Sequence, residues 1–78
     1  MPNVTMYATS WCGFCYRARL FLDEYNVTYT EIDIDADEDA ALRVEQWNRG
    51  NRTVPTIDID GDVYTNPSAA ELRELLGL

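Results

Sequence analysis

Trp11-Cys12-Gly13-Phe14-Cys15 is the stretch on which the reading of this chain turns. Two cysteines stand two residues apart, after an apolar strand-like run and before a helix-like one, and they are the only cysteines in 78 residues. The chain has no histidine and its six basic residues are all arginines. Nucleophilic chemistry therefore falls to two sulfurs. Upstream of them, Val4, Met6 and Ala8 alternate with Thr5 and Tyr7, which predicts a first strand, and Thr9 and Ser10 offer turn or cap chemistry. Downstream, Phe14, Ala18, Phe21, Leu22 and Tyr25 recur at helical spacing, so a helix is expected to run to about Tyr25, with Asn26 ending it.

The rest of the chain continues the alternation. Residues 28–34 are β-branched and alternating and predict a second strand. Residues 35–39 are acidic, as a helix N-terminus prefers, and Ala41, Val44 and Trp47 mark the inner face of the helix that follows, stopped by Gly50 and Asn51. Pro55 opens a third strand over 56–60, Asp60-Gly61 is a hairpin turn signal, and 63–65 returns as a fourth strand. Asn66-Pro67-Ser68 then leads into a last helix with Pro67 in its first turn and Ala69, Leu72, Leu75 and Leu76 facing inward. The order is βαβαββα. It predicts an α/β class fold: one domain spanning residues 1–78, with three helices on a four-stranded mixed sheet. The first two strands are parallel and the hairpin antiparallel. This places the cysteines at the carboxyl end of the first strand, where open α/β sheets hold their sites.

At that position backbone N–H groups and the positive end of the helix dipole stabilise a thiolate on Cys12, the form that attacks disulfides. Gly13 lets the backbone turn tightly. Cys15, one turn later and better buried, is the natural resolving thiol, so the pair reads as a disulfide-exchange site. No metal site is expected, since zinc needs four ligands and the chain offers two cysteines and no histidine. An iron–sulfur cluster shared between two copies through Cys12 is the alternative of another class. Residues 33–37 hint at a calcium loop, but Glu38 stands where glycine is required and Val44 where the closing glutamate belongs. Val54-Pro55 is a second candidate. The proline is either cis, leaving the preceding backbone free to pair with an extended substrate, or an ordinary trans residue at a strand start. Trp11 either covers the reactive sulfur or packs, and Trp47 is expected in the core.

The net charge is −8, which argues against nucleic acid as a partner. Residues 1–22 hold Arg17 and Arg19 and no acid, and residues 40–57 hold three arginines and only Glu45. If these segments meet, the cysteines face a mildly positive surface on an acidic protein. The first residues carry no basic and apolar leader, no run is apolar enough for a membrane, and the expected location is the cytoplasm, where a lasting structural disulfide is rare and the three Asn-x-Thr sequons carry no meaning.

Across essentially its whole length the chain resembles the glutaredoxin branch of the thioredoxin superfamily: strand, CxxC helix, strand, helix, Thr53-Val54-Pro55, hairpin, closing helix. The resemblance implies the thioredoxin (glutaredoxin-like) fold, thiol–disulfide oxidoreductase activity in cell redox homeostasis, a cis Pro55, and Cys12 and Cys15 as nucleophile and resolving cysteine. Residues 9–15, 50–56 (Gly-Asn-Arg-Thr-Val-Pro-Thr) and 65–69 (Thr-Asn-Pro-Ser-Ala) are similar to the mycoredoxin group. Such proteins reduce protein–mycothiol mixed disulfides, with mycothiol as cosubstrate and no tightly bound cofactor. Ordinary glutaredoxins carry a lysine before the CxxC and a Gly-Gly pair after the hairpin; this chain has neither there. The resemblance assigns substrate binding to Trp11, Phe14, Thr53, Val54, Pro55, Asn66 and Ser68, with Arg52 and Arg17 as weaker candidates. The expected partners are mycothiol and client proteins bearing mixed disulfides, met by a monomer. Two further readings stand beside this one: a redoxin recharged by thioredoxin reductase that supplies ribonucleotide reductase, and the cluster-binding module, kept open by the likeness of Cys-Gly-Phe-Cys to the Cys-Gly-Phe-Ser of cluster-binding glutaredoxins.

Overall fold

Strand β1 (Val4–Ala8) is buried on both faces. Met6 and Ala8 are enclosed on one side, as their alternation predicts, but Tyr7 on the other is only 4% exposed. The cause is a helix on each side of the sheet in the computed structural model, which describes residues 2–78. On the Met6 side, Cys15, Ala18 and Leu22 of α1 (Gly13–Glu24) and Leu72 of α3 (Ala69–Leu76) close the larger core cluster. On the Tyr7 side, Ala40, Ala41 and Val44 of α2 (Glu38–Trp47) close a smaller one with Ile34. Val54 packs against both.

The sheet also contains β2 (Thr30–Asp33), β3 (Thr56–Ile59) and β4 (Asp62–Thr65), in the order β2-β1-β3-β4. β1 and β2 run parallel, with Tyr7 opposite Ile32, and the other pairs are antiparallel. The four-stranded mixed sheet with three helices is the expected architecture. The hairpin turn uses Asp60 (φ 53°) and Gly61 (φ 95°), both in the left-handed region that a two-residue hairpin turn of this hand requires. Among the described residues no helix is long and apolar enough to cross a membrane.

Several local expectations shift. β2 starts at Thr30, not residue 28, and β3 ends at Ile59, because Asp60 turns into the hairpin. α2 ends at Trp47 with Asn48 as its cap; Arg49 (φ 56°) and Gly50 (φ 93°) already lie past its end. Trp47 is not core: it is 37% exposed and sets its ring edge-on to Tyr7 at 5.3 Å between centroids. Pro67 precedes the cap residue Ser68 rather than occupying the first helical turn, and it is buried while Ala69 is exposed. A proline there is compatible with the cap because Ser68, not Pro67, supplies the N–H that Glu71 accepts.

Candidate functional site

Cys12 is the N-cap residue of α1, in extended backbone (φ −85°, ψ 117°). Its sulfur takes the place that a serine or aspartate oxygen fills in an ordinary cap, and it accepts the Cys15 N–H at 3.2 Å. The Cys12 thiol donates to the Val54 carbonyl at 3.6 Å, across 42 positions of sequence. This contact brings the CxxC turn against the segment before β3. The Val54–Pro55 peptide is cis, as the family resemblance implied. The backbone N–H of Val54 finds no acceptor among the described residues.

The two sulfurs sit in different surroundings. Both thiols are free. Cys12 keeps 8% of its surface, whereas Cys15 has none. Burial pushes the Cys15 thiol up to about 12, and its interaction with the Cys12 thiol pushes the same way; the Thr9 backbone and the Arg19 charge pull weakly against them. Arg19 is anchored behind Cys15, paired to Glu31 at 2.7 Å and donating to the Thr9 carbonyl at 3.5 Å.

The remaining candidates divide into two groups. Phe14, Arg17, Asn66 and Ser68 come together around a cavity of about 330 Å³ between α1 and α3, floored by Phe21 and Leu72. The Arg17 guanidinium stands 5.5 Å over the Phe14 ring. Asn66, in the left-handed region (φ 45°), donates its N–H to the Pro55 carbonyl at 2.7 Å, which joins this cavity to the cis-proline segment. Ser68 caps α3, its hydroxyl oxygen accepting the Glu71 N–H at 3.1 Å. Trp11 and Arg52 are held elsewhere. Trp11 is 75% exposed, so packing is not its role, and its indole N–H donates to Asp35 at 2.9 Å. Arg52 is bound by Glu38 (2.9 Å) and Glu45 (2.5 Å) of α2. Arg19 and Arg52 are both paired to glutamates, so of the expected positive face Arg17 beside the cavity, Arg43, which donates to the Tyr7 hydroxyl at 3.0 Å, and Arg49 are the arginines that meet no carboxylate among the described residues.

Sequence reasoning missed Asp35 and Asn48. Asn48 bonds at once to α2, β3 and β4, and nothing in its spacing signals this, because its partners lie 4, 8 and 17 positions away.

A family model for glutaredoxin matches residues 4–64. This chain belongs to the glutaredoxin family. Like its relatives, this glutaredoxin is a thiol–disulfide oxidoreductase. It is 48% identical over 73 residues to mycoredoxin 1 of Corynebacterium glutamicum, covering 92% of this chain and 90% of that protein. Against glutaredoxin 3 of Escherichia coli it is 41% identical over 84 residues, covering 97% and 99%. Among solved structures, a thioredoxin-like protein superimposes with a TM-score of 0.85 at 31% identity, over 99% of this glutaredoxin and 97% of that chain.

Proposed function

We propose that this glutaredoxin reduces mixed disulfides between proteins and mycothiol in the cytoplasm, working as a monomer with Cys12 as nucleophile. The observation that carries the chemistry is the Cys12 sulfur at the α1 N-terminus, with the Cys15 N–H already on it. A thiolate there is stabilised by that donor and by the helix dipole. The thiolate attacks the mycothiol sulfur of the mixed disulfide, the sulfur–sulfur bond to the client breaks, and the client leaves as thiolate and takes a proton from water. Cys12 then carries mycothiol. A second mycothiol thiolate attacks the mycothiol sulfur, forming the symmetrical mycothiol disulfide and returning Cys12 as thiolate.

Cys15 supports this monothiol route over its own attack on Cys12. A thiol pushed up to about 12, chiefly by burial, supplies almost no thiolate at neutral pH. Thr53, Val54 and Pro55 orient the incoming disulfide, whose backbone pairs with the free Val54 N–H. Trp11 and Phe14 flank the sulfur as exposed apolar contacts, and Asn66 and Ser68 hold the thiol's polar groups. Preference for mycothiol over glutathione rests on the likeness to mycoredoxin 1 and on the absence of the lysine that precedes the CxxC in ordinary glutaredoxins, with Arg52 committed to two glutamates.

The test is reduction of mycothiol and glutathione mixed disulfides of one model protein by wild type, Cys12→Ser and Cys15→Ser. Faster turnover of the mycothiol adduct, abolished in Cys12→Ser and kept in Cys15→Ser, is the expected result. Turnover of neither adduct, together with direct reduction by thioredoxin reductase and NADPH, sinks the mycothiol reading in favour of a different electron donor.

A further inference from the structure

We infer that Asn48, outside the CxxC turn and the cis-proline segment, is a positioning residue that sets the spacing between the two arms of the substrate groove; this rests on the disulfide-exchange reading above. One arm is the Thr53–Pro55 segment that faces the Cys12 sulfur. The other is Asn66–Ser68, which lines the cavity between α1 and α3.

The Asn48 side chain reaches both arms through hydroxyls. Its amide nitrogen donates to the Val44 carbonyl of α2 and to the Thr56 hydroxyl oxygen, both at 3.1 Å. Its amide oxygen accepts the Thr65 hydroxyl at 2.5 Å. Thr56 is fully buried and spends its single hydroxyl proton on the Thr53 carbonyl at 2.7 Å, so its oxygen needs a donor, and Asn48 is that donor. The chain of bonds runs from Thr65, the residue before Asn66, through Asn48 and Thr56 to Thr53, the residue before Val54. The Asn66 N–H bond to the Pro55 carbonyl closes it into a ring. The Asn48 backbone also anchors the 48–51 turn, its carbonyl accepting from the N–H and the side-chain amide of Asn51 at 3.2 Å each.

An amide is required at this point. Aspartate keeps the acceptor for Thr65 but loses the amide donor, leaving the Thr56 hydroxyl oxygen without its donor, while the Val44 carbonyl keeps the backbone N–H of residue 48 at 3.0 Å. Alanine loses every side-chain bond. Neither change touches the α1 N-terminus, where Cys12 gains its reactivity. The arms are therefore expected to separate or mobilise while the Cys15 N–H and the helix N-terminus at the sulfur stay as they were, which is a binding defect and not a reactivity defect.

The experiment compares wild type, Asn48→Ala, Asn48→Asp, Thr65→Val and Thr65→Ser in the mixed-disulfide assay, beside the rate of Cys12 alkylation by iodoacetamide at neutral pH. Thermal melting confirms that each variant is folded at the assay temperature. The expected result is a KM raised about tenfold in both Asn48 variants, the scale of one lost part-buried hydrogen bond, with kcat and the alkylation rate within twofold of wild type. Thr65→Val should share part of the KM rise, and Thr65→Ser, which keeps the hydroxyl, should restore the wild-type KM. Unchanged KM in Asn48→Ala overturns the inference, and so does a loss of activity that tracks the alkylation rate. Failure of wild type to turn over any mixed disulfide would instead overturn the proposed function, so the two are told apart by the first measurement.

Discussion

At the scale of single residues, the difference between the two cysteines has consequences that titration reads directly. Cys15 is enclosed and shifted up to about 12 from the ordinary thiol value of 9.0, whereas Cys12 keeps an edge open to solvent. Iodoacetamide at neutral pH is expected to place one adduct on the native protein, at Cys12, and two after unfolding; mass mapping of the labelled peptide checks this. The same shift couples to stability. The native state holds the Cys15 proton more tightly than the unfolded chain, so stability is complete below about 9, falls as the unfolded state ionises, and goes on falling until the pH passes about 12. Denaturant titrations from pH 8 to 11 should show this decline in wild type and a shallower one in Cys15→Ala. Sequence alone placed Cys15 as the better buried sulfur, because position within a helix turn fixes which one faces inward. It could not show the Val54 carbonyl on Cys12, a contact made by a chain segment 42 residues away.

At the scale of elements, α3 shows how a short helix holds one wall of the candidate groove. It has eight residues, too few to persist alone, and its first turn is tied by a reciprocal cap: the Ser68 hydroxyl accepts the Glu71 N–H while the Glu71 carboxylate accepts the Ser68 N–H, each at 3.1 Å. Those bonds hold the Glu71 carboxyl below its usual range. At the other end Gly77 takes the left-handed conformation (φ 70°) that releases the chain. Ser68→Ala is expected to cost about 1 kcal/mol, seen as a melting temperature lower by about 4–8 °C for a domain of this size. The positions of turns and caps were legible where short-range chemistry decides them, as at the Asp60-Gly61 hairpin turn, the acidic run 35–39 before α2 and the 66–68 stretch before α3. Element boundaries were misread where the decision belongs to a partner in space. Residues 28 and 29 have strand chemistry but no β1 residue opposite them, since the parallel register begins at Thr5 and Thr30. Trp47 has helical spacing on the inner face, yet the small Ala40 and Ala41 bring α2 close to the sheet and leave the wide indole at the margin against Tyr7.

At the scale of the whole molecule, the reactive site and the main core are one object. Cys12 and Cys15 belong to the same buried cluster as Met6, Leu22, Ile57 and Leu72. Met6→Ala is expected to cost about 2–5 kcal/mol, a large part of the roughly 5–15 kcal/mol that holds a domain together. It should also speed alkylation of Cys15, because the cavity lies in the cluster that keeps that sulfur dry; peptide-resolved labelling measures it. A comparable truncation on the other face, Val44→Ala, should lower stability while leaving Cys15 protected, since Val44 belongs to the separate cluster. The sheet itself ends in two open margins. Its outer strands carry Asp33 on one side and Asp62 on the other, both exposed. Like charges at unpaired strand edges keep copies of a sheet from extending one another into fibres. The acidity that says nothing about chemistry thus serves as protection against self-association. That protection fades as the solution approaches the isoelectric point near pH 4.1, where the net charge of the molecule vanishes.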